Sequence, residues 1–157
     1  MVDDRPRENP SSGPPFSAEK IRDATAEGRT YRFRMGGSEG GAEQVIRFVD
    51  VDPDGATFET TVMGSDGGAV GEPRSKRVTW DDLERHAHFP PGTTERETPC
   101  QTPAGRFECV VYTVPDAEGT TLFYFARSLP GAPVRVTAKR DGREVMVMEL
   151  VEHRPGG

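Results

Sequence analysis

The chain has 157 residues, a hydrophobic fraction of 33% and a net charge of −6 at pH 7. That length supports one domain with its own core, and the acidic balance argues against a nucleic-acid partner or an anionic membrane surface. The 18 glycines and 14 prolines are about a fifth of the residues, a turn-rich composition, and no apolar run approaches the roughly 20 residues of a membrane-spanning helix.

Residues 1–15 carry charge and turn formers with nothing to bury, and read as a disordered tail before a single β-rich domain over 16–154. The start, Met1-Val2-Asp3-Asp4-Arg5-Pro6, has no apolar signal core. The expected place is therefore the cytoplasm, or the periplasm and cell envelope if a signal has been removed. Ser17 is placed to cap a helix over 18–27, with Phe16 and Ile21 as a hydrophobic staple and Gly28 as its stop. Over 30–35, Tyr31, Phe33 and Met35 alternate with Arg32 and Arg34, the period of a half-buried strand. The glycine-rich loop 36–41 lacks the Lys-Ser/Thr and helix of a phosphate loop. Strands over 43–52 and 56–64 flank the turn Pro53-Asp54-Gly55, and 65–76 reads as irregular, with at most a short strand at Ala69-Val70. Asp50, Asp52 and Asp54 alternate before Gly55, but Pro53 and the missing downstream glutamate make a poor calcium loop.

A second helix is expected over 80–88, with Thr79 and Asp82 as a capping box and Val78 and Leu83 as a staple. It carries His86 and His88, whose rings splay by about 200° on a helix, so that both do not easily reach one metal. Asp82–His86 and Glu84–His88 are i,i+4 carboxylate–imidazole pairs suited to general-base work. A metal there needs further ligands, such as Cys100, Cys109 or His153; solvated histidines at a helix C-terminus account for the same pattern. No nucleophile motif is present, and no catalytic residue, metal or cofactor is assigned.

Strands follow over 94–101, 106–114, 120–127, 134–140 and 143–152, the last two joined by Asp141-Gly142 as a type I′ hairpin that opposes Lys139 to Glu144, Ala138 to Val145 and Val136 to Val147. The hairpin between Cys100 and Cys109 admits two registers. A two-residue loop at Ala104-Gly105 sets the cysteines opposite each other and permits a disulfide. A three-residue loop with Pro103 at i+1 and Gly105 in the left-handed position sends them to opposite faces. Buried apolar cysteines are the plain alternative to a bridge.

The sum is a mainly β, α+β chain: about eight antiparallel strands in a meander, curled into a barrel or half-barrel, with two short helices. Val110-Val111-Tyr112 and Leu122-Phe123-Tyr124-Phe125 are apolar on both faces, and a strand of this kind is covered on both sides. One side can be core while the other lines a cavity or docks a partner. The residues assigned to such a cavity are Tyr31, Phe33, Phe48, Phe58, Trp80, Tyr112, Phe123 and Phe125.

The run Thr102-Pro103-Ala104-Gly105-Arg106-Phe107-Glu108-Cys109, then Tyr112, Phe123-Tyr124-Phe125-Ala126, Leu129-Pro130-Gly131-Ala132-Pro133-Val134 and the closing Glu149-Leu150-Val151 resemble the last strands of bacterial envelope proteins similar to the LolA-like half-barrel group. The resemblance covers the last third to half of the chain. It implies a curved antiparallel sheet wrapped around helices, which in some members carries lipid, and it transfers no catalytic residue. The leading expectation is a non-enzymatic binding module for an apolar, lipid-like molecule or a partner protein, with no cofactor. The alternatives are an enzyme or metal site around Asp82, His86 and His88, and a structural or immunity-type interaction protein without a small ligand.

Overall fold

A computed structural model describes residues 7–8, 15–36, 42–64, 68–86, 89–90 and 92–156. Among them the chain forms one antiparallel sheet of ten strands and two short helices. In chain order these are β1 (Arg7–Glu8), α1 (Ala18–Ala24), β2 (Thr30–Met35), β3 (Glu43–Val49), β4 (Gly55–Met63), β5 (Arg74–Thr79), α2 (Trp80–His86), β6 (Thr94–Thr102), β7 (Gly105–Pro115), β8 (Thr120–Ala126), β9 (Arg135–Arg140) and β10 (Arg143–Arg154). The mainly β reading with two helices holds, with more strands than the eight expected. One addition is β1, two residues within the segment read as a tail, which pair with Thr94 and Glu95. The other is β5, which begins in the stretch 65–76 read largely as irregular and runs on to the cap of α2: all its residues but Val78 are exposed, so no alternation betrays it, and its charges suit a sheet edge.

The strand order is β1-β6-β7-β8-β9-β10-β2-β3-β4-β5. This corrects the expectation of a single meander. Two meanders, β2–β5 and β6–β10, are joined where β10 pairs with β2, the latest strand with one of the earliest. The ladder is open, with β1 and β5 at its edges. It curls strongly enough that the Ala104 N–H at the β6–β7 turn reaches the Leu150 carbonyl of β10 at 3.2 Å, four strands away. Two register shifts in β10, at Glu144/Met146 and Leu150/Glu152, mark bulges, which raise local twist and bend a strand.

The first bulge changes the last hairpin. Lys139 opposes Glu144 as expected, but Val145 is the extra residue, so Ala138 meets Met146 and Val136 meets Met148. The positive φ of Asp141 (53°) and Gly142 (75°) fits the expected turn. The β6–β7 hairpin follows neither expected register. Its loop is Pro103-Ala104, with Thr102 opposite Gly105, Cys100 opposite Phe107 and Cys109 opposite Thr98. The Thr102 hydroxyl accepts from the Ala104 N–H at 3.1 Å and fixes this turn, and Gly105 (φ 138°) takes the place after it.

Both helix starts are built as the sequence indicates. The Ser17 hydroxyl accepts from the Lys20 N–H at 3.2 Å, and Phe16 and Ile21 are both buried. Thr79 and Asp82 exchange side chain-to-backbone bonds of 3.0 and 3.2 Å. α1 is shorter than expected: the Thr25 hydroxyl donates to the Ile21 carbonyl at 2.7 Å and the helix ends there. Glu84 of α2 reaches the N–H of Ala18, the first residue of α1, at 2.9 Å. A carboxylate at that end satisfies an orphan donor and meets the positive end of the helix dipole. The two helices are thus tied together, over a core that includes Phe16, Ile21, Tyr31, Phe33, Phe48, Tyr112, Phe125 and Leu150.

Strands β4 and β5 approach closely at Gly55, where a Cβ would lie 2.0 Å from the Val78 carbonyl oxygen. Gly55→Ala is expected to cost roughly 1–3 kcal/mol, read as a fall in midpoint in thermal denaturation. An unchanged midpoint would contradict the close β4–β5 packing.

Candidate functional site

Between the helices and the inner face of the sheet lies a cavity of about 450 Å³. The inward positions of three adjacent strands supply one wall: Tyr31 of β2, Ile46 and Phe48 of β3, and Phe58 of β4. Val114 of β7 and Phe123 and Phe125 of β8 form the opposite wall. Ile21 and Thr25 of α1 and Leu83 of α2 face the same space, together with Phe89, Pro90 and the 131–133 loop. Ring contacts set the shape: Phe48 lies 6.2 Å from both Tyr31 and Phe58, and Phe16 of the α1 staple meets Phe125 edge-on at 6.3 Å.

Five of the eight residues assigned from sequence line the cavity: Tyr31, Phe48, Phe58, Phe123 and Phe125. The other three stand behind it. Phe33 stacks under Tyr31 at 5.8 Å, and Tyr112 is covered by Phe89 at 4.6 Å. Trp80 anchors α2 to the β3–β4 turn, its Nε1–H donating to the Asp52 carbonyl at 3.0 Å. Sequence reasoning missed Phe89, which follows a helix and belongs to no periodic run. It also missed Arg29.

Arg29 is the unusual member of the wall. It is 1% exposed, and its ion-pairing partners among the described residues are none: Nη1 donates to the Pro130 carbonyl at 2.8 Å and the Thr25 hydroxyl at 3.0 Å, and Nε donates to His153 Nε2 at 2.9 Å. All three acceptors are neutral. The guanidinium also lies 4.8 Å from the centre of the Tyr31 ring, a cation–π contact. Burial lowers the Arg29 pKa, but an arginine stays charged at any ordinary pH. The Tyr31 oxygen faces the Ala132 backbone N–H without a hydrogen bond of good geometry; desolvation pushes its pKa up to about 12 against the smaller opposing effects of Arg29 and Ala132, so it carries its proton. Gly131 (φ 140°) closes over both groups: a Cβ there would lie 2.6 Å from the Tyr31 oxygen and 3.3 Å from Arg29 Nη1.

His153 of β10, opposite Tyr31 of β2, completes the cluster. Its Nε2 accepts from Arg29, so the neutral ring carries its proton on Nδ1. Burial, then the facing guanidinium, push its pKa down to about 4 from 6.5.

Of the other expected sites, the Asp82 carboxylate holds the Thr79 amide and Glu84 holds the Ala18 amide. The His86 side chain and His88 lie outside the described residues, as do most of the 36–41 loop and of the 1–15 segment. Asp52 accepts from the N–H groups of Asp54 and Gly55 and pairs with Arg77, the work of a turn. Among the described residues no three His, Cys, Asp or Glu side chains converge on one point. Cys100 and Cys109 are free, buried and on the same sheet face, offset diagonally rather than opposed. Burial pushes both thiols up, Cys109 to about 12 with its neighbour Cys100 adding to the rise.

No protein-family model and no curated protein sequence matches the chain.

Two predictions follow from this geometry. Unfolded, His153 takes up a proton near pH 6.5, while in the fold it resists to about 4. Its contribution is therefore fully present above pH 6.5, falls as pH drops towards 4, and levels off below. His153→Gln, which keeps a neutral acceptor for Arg29, is expected to flatten that part of the stability–pH curve; the same slope in both proteins would contradict the assignment. The thiols should resist alkylation in the native protein, and both should react after denaturation without reductant. No reactive thiol after denaturation would show a bridge instead.

Proposed function

We propose that the protein is a non-enzymatic binding module that holds an apolar, lipid-like molecule in the cavity beneath α1 and α2. The observation that carries this reading is the cavity itself: about 450 Å³, walled by aromatic and aliphatic side chains from five strands and both helices. Its volume falls in the range of small-molecule sites, which combine apolar walls with a few placed polar groups. The reading includes the likeness of the closing strands to LolA-like half-barrels and a place in the bacterial cell envelope. The enzyme alternative at Asp82, His86 and His88 has less support, because the Asp82 carboxylate holds its helix cap.

N-phenylnaphthylamine, a neutral fluorophore that brightens in apolar surroundings, tests the reading directly. The wild-type protein is expected to bind it at one saturable site. Ala132→Trp, which fills the cavity from its loop, should weaken binding by at least about tenfold while the thermal midpoint holds or rises. Absence of saturable binding, or equal binding by the filled variant, would overturn the proposal.

A further inference from the structure

An apolar cavity accounts for a greasy ligand but not for the cation in its wall. A buried guanidinium is retained at a cost unless an anion and hydrogen bonds offset it. Arg29 uses Nε and Nη1 on neutral acceptors, and among the described residues Nη2 donates to none. Beside it, the buried Tyr31 hydroxyl has the Ala132 N–H near its oxygen but, among the described residues, no acceptor for its own proton. Both border the cavity, and Gly131 brings the 131–133 loop down against both. The border of the cavity therefore holds one permanent positive charge and one protonated hydroxyl, both covered by the 131–133 loop, with neutral Thr25, Pro130 and His153 around them.

We infer that the ligand is a single-chain amphiphile with a carboxylate head, which displaces the 131–133 loop from Arg29 Nη2 and the Tyr31 hydroxyl and takes its place there, with its hydrocarbon chain between the aromatic walls. The inference rests on the cavity being a binding site and adds the chemical class of what fills it. A carboxylate matches the donors in charge and shape: one negative charge against one guanidinium, and two oxygens for an N–H and an O–H. A phosphate dianion would leave a charge without compensation among apolar side chains, and a neutral or cationic head would leave Arg29 as unpaired as before. The aromatic side chains of β3, β4 and β8 then pack against the chain, the apolar part of the same molecule.

Competition against bound N-phenylnaphthylamine separates the head group from the chain. Dodecanoate, dodecanol and dodecyltrimethylammonium share one tail. The wild-type protein is expected to bind dodecanoate about tenfold to a hundredfold more tightly than dodecanol, and the cation most weakly. Arg29→Met should erase the preference for dodecanoate and leave dodecanol nearly unchanged. Tyr31→Phe, which keeps the ring and removes only the hydroxyl, should reduce the preference several-fold. Equal affinity for acid and alcohol in the wild type, or a preference that survives in Arg29→Met, would overturn the inference with the cavity reading intact. Failure of the fluorophore itself to bind would overturn both. Should Arg29→Met not fold, the wild-type series and Tyr31→Phe decide the matter without it.

Discussion

The pairing of β10 with β2 is the constraint on which the molecule depends. Met148 meets Met35, Leu150 meets Phe33 and His153 meets Tyr31. Without this ladder the chain would be two separate meanders, each with an additional open edge, and unpaired edges are a liability. With it, one continuous sheet curls around α1 and α2. The bulge between Leu150 and Glu152 keeps Leu150 and His153 on the inner face although they are an odd number of positions, three, apart. That adjustment gives Arg29 its acceptor: in strict alternation His153 would turn away from the cavity.

The electrostatics of the site follow from the same architecture. A buried cation costs on the order of several kcal/mol before its partners are counted. The Pro130 carbonyl, the Thr25 hydroxyl, His153 Nε2 and the Tyr31 face each offset part of this, and none carries a full negative charge. The protein thus holds Arg29 in position without neutralising it, and keeps Tyr31 protonated beside it. In our reading the ligand's carboxylate supplies the missing charge, and burial in an apolar cavity makes that single contact worth more than it would be in water.

The short-range features were legible in the sequence because their causes are short-range. Ser17, Thr79 and Asp82 marked both helix starts through side chain-to-backbone bonds within three residues. Tyr31 and Phe33 declared the inner face of β2 by alternation, and Asp141-Gly142 declared its turn by the φ values it requires. The β10–β2 pairing left no local trace, since strands that pair across more than a hundred residues share no turn. Strand β5 was hidden because an exposed edge needs no apolar period. The β6–β7 register turned on one hydrogen bond, from the Ala104 N–H to the Thr102 hydroxyl, that composition does not reveal.

The candidate site divides in the same way. Its aromatic walls could be read from strand faces, whereas Arg29, between Gly28 and Thr30, resembled an ordinary solvated turn residue. One signal was available: Arg29 lies two residues before Tyr31, in phase with the inward set Tyr31, Phe33 and Met35, and a charged residue in that phase is a candidate for a buried functional group. Phe89 offered no such phase.

The most direct measurement is a crystal structure of the protein saturated with dodecanoate. The account predicts a chain running between α1 and the aromatic side chains of β3 and β4, with the carboxylate within hydrogen-bonding distance of Arg29 Nη2 and the Tyr31 hydroxyl. A cavity without the acid, or a carboxylate turned away from Arg29, would contradict it.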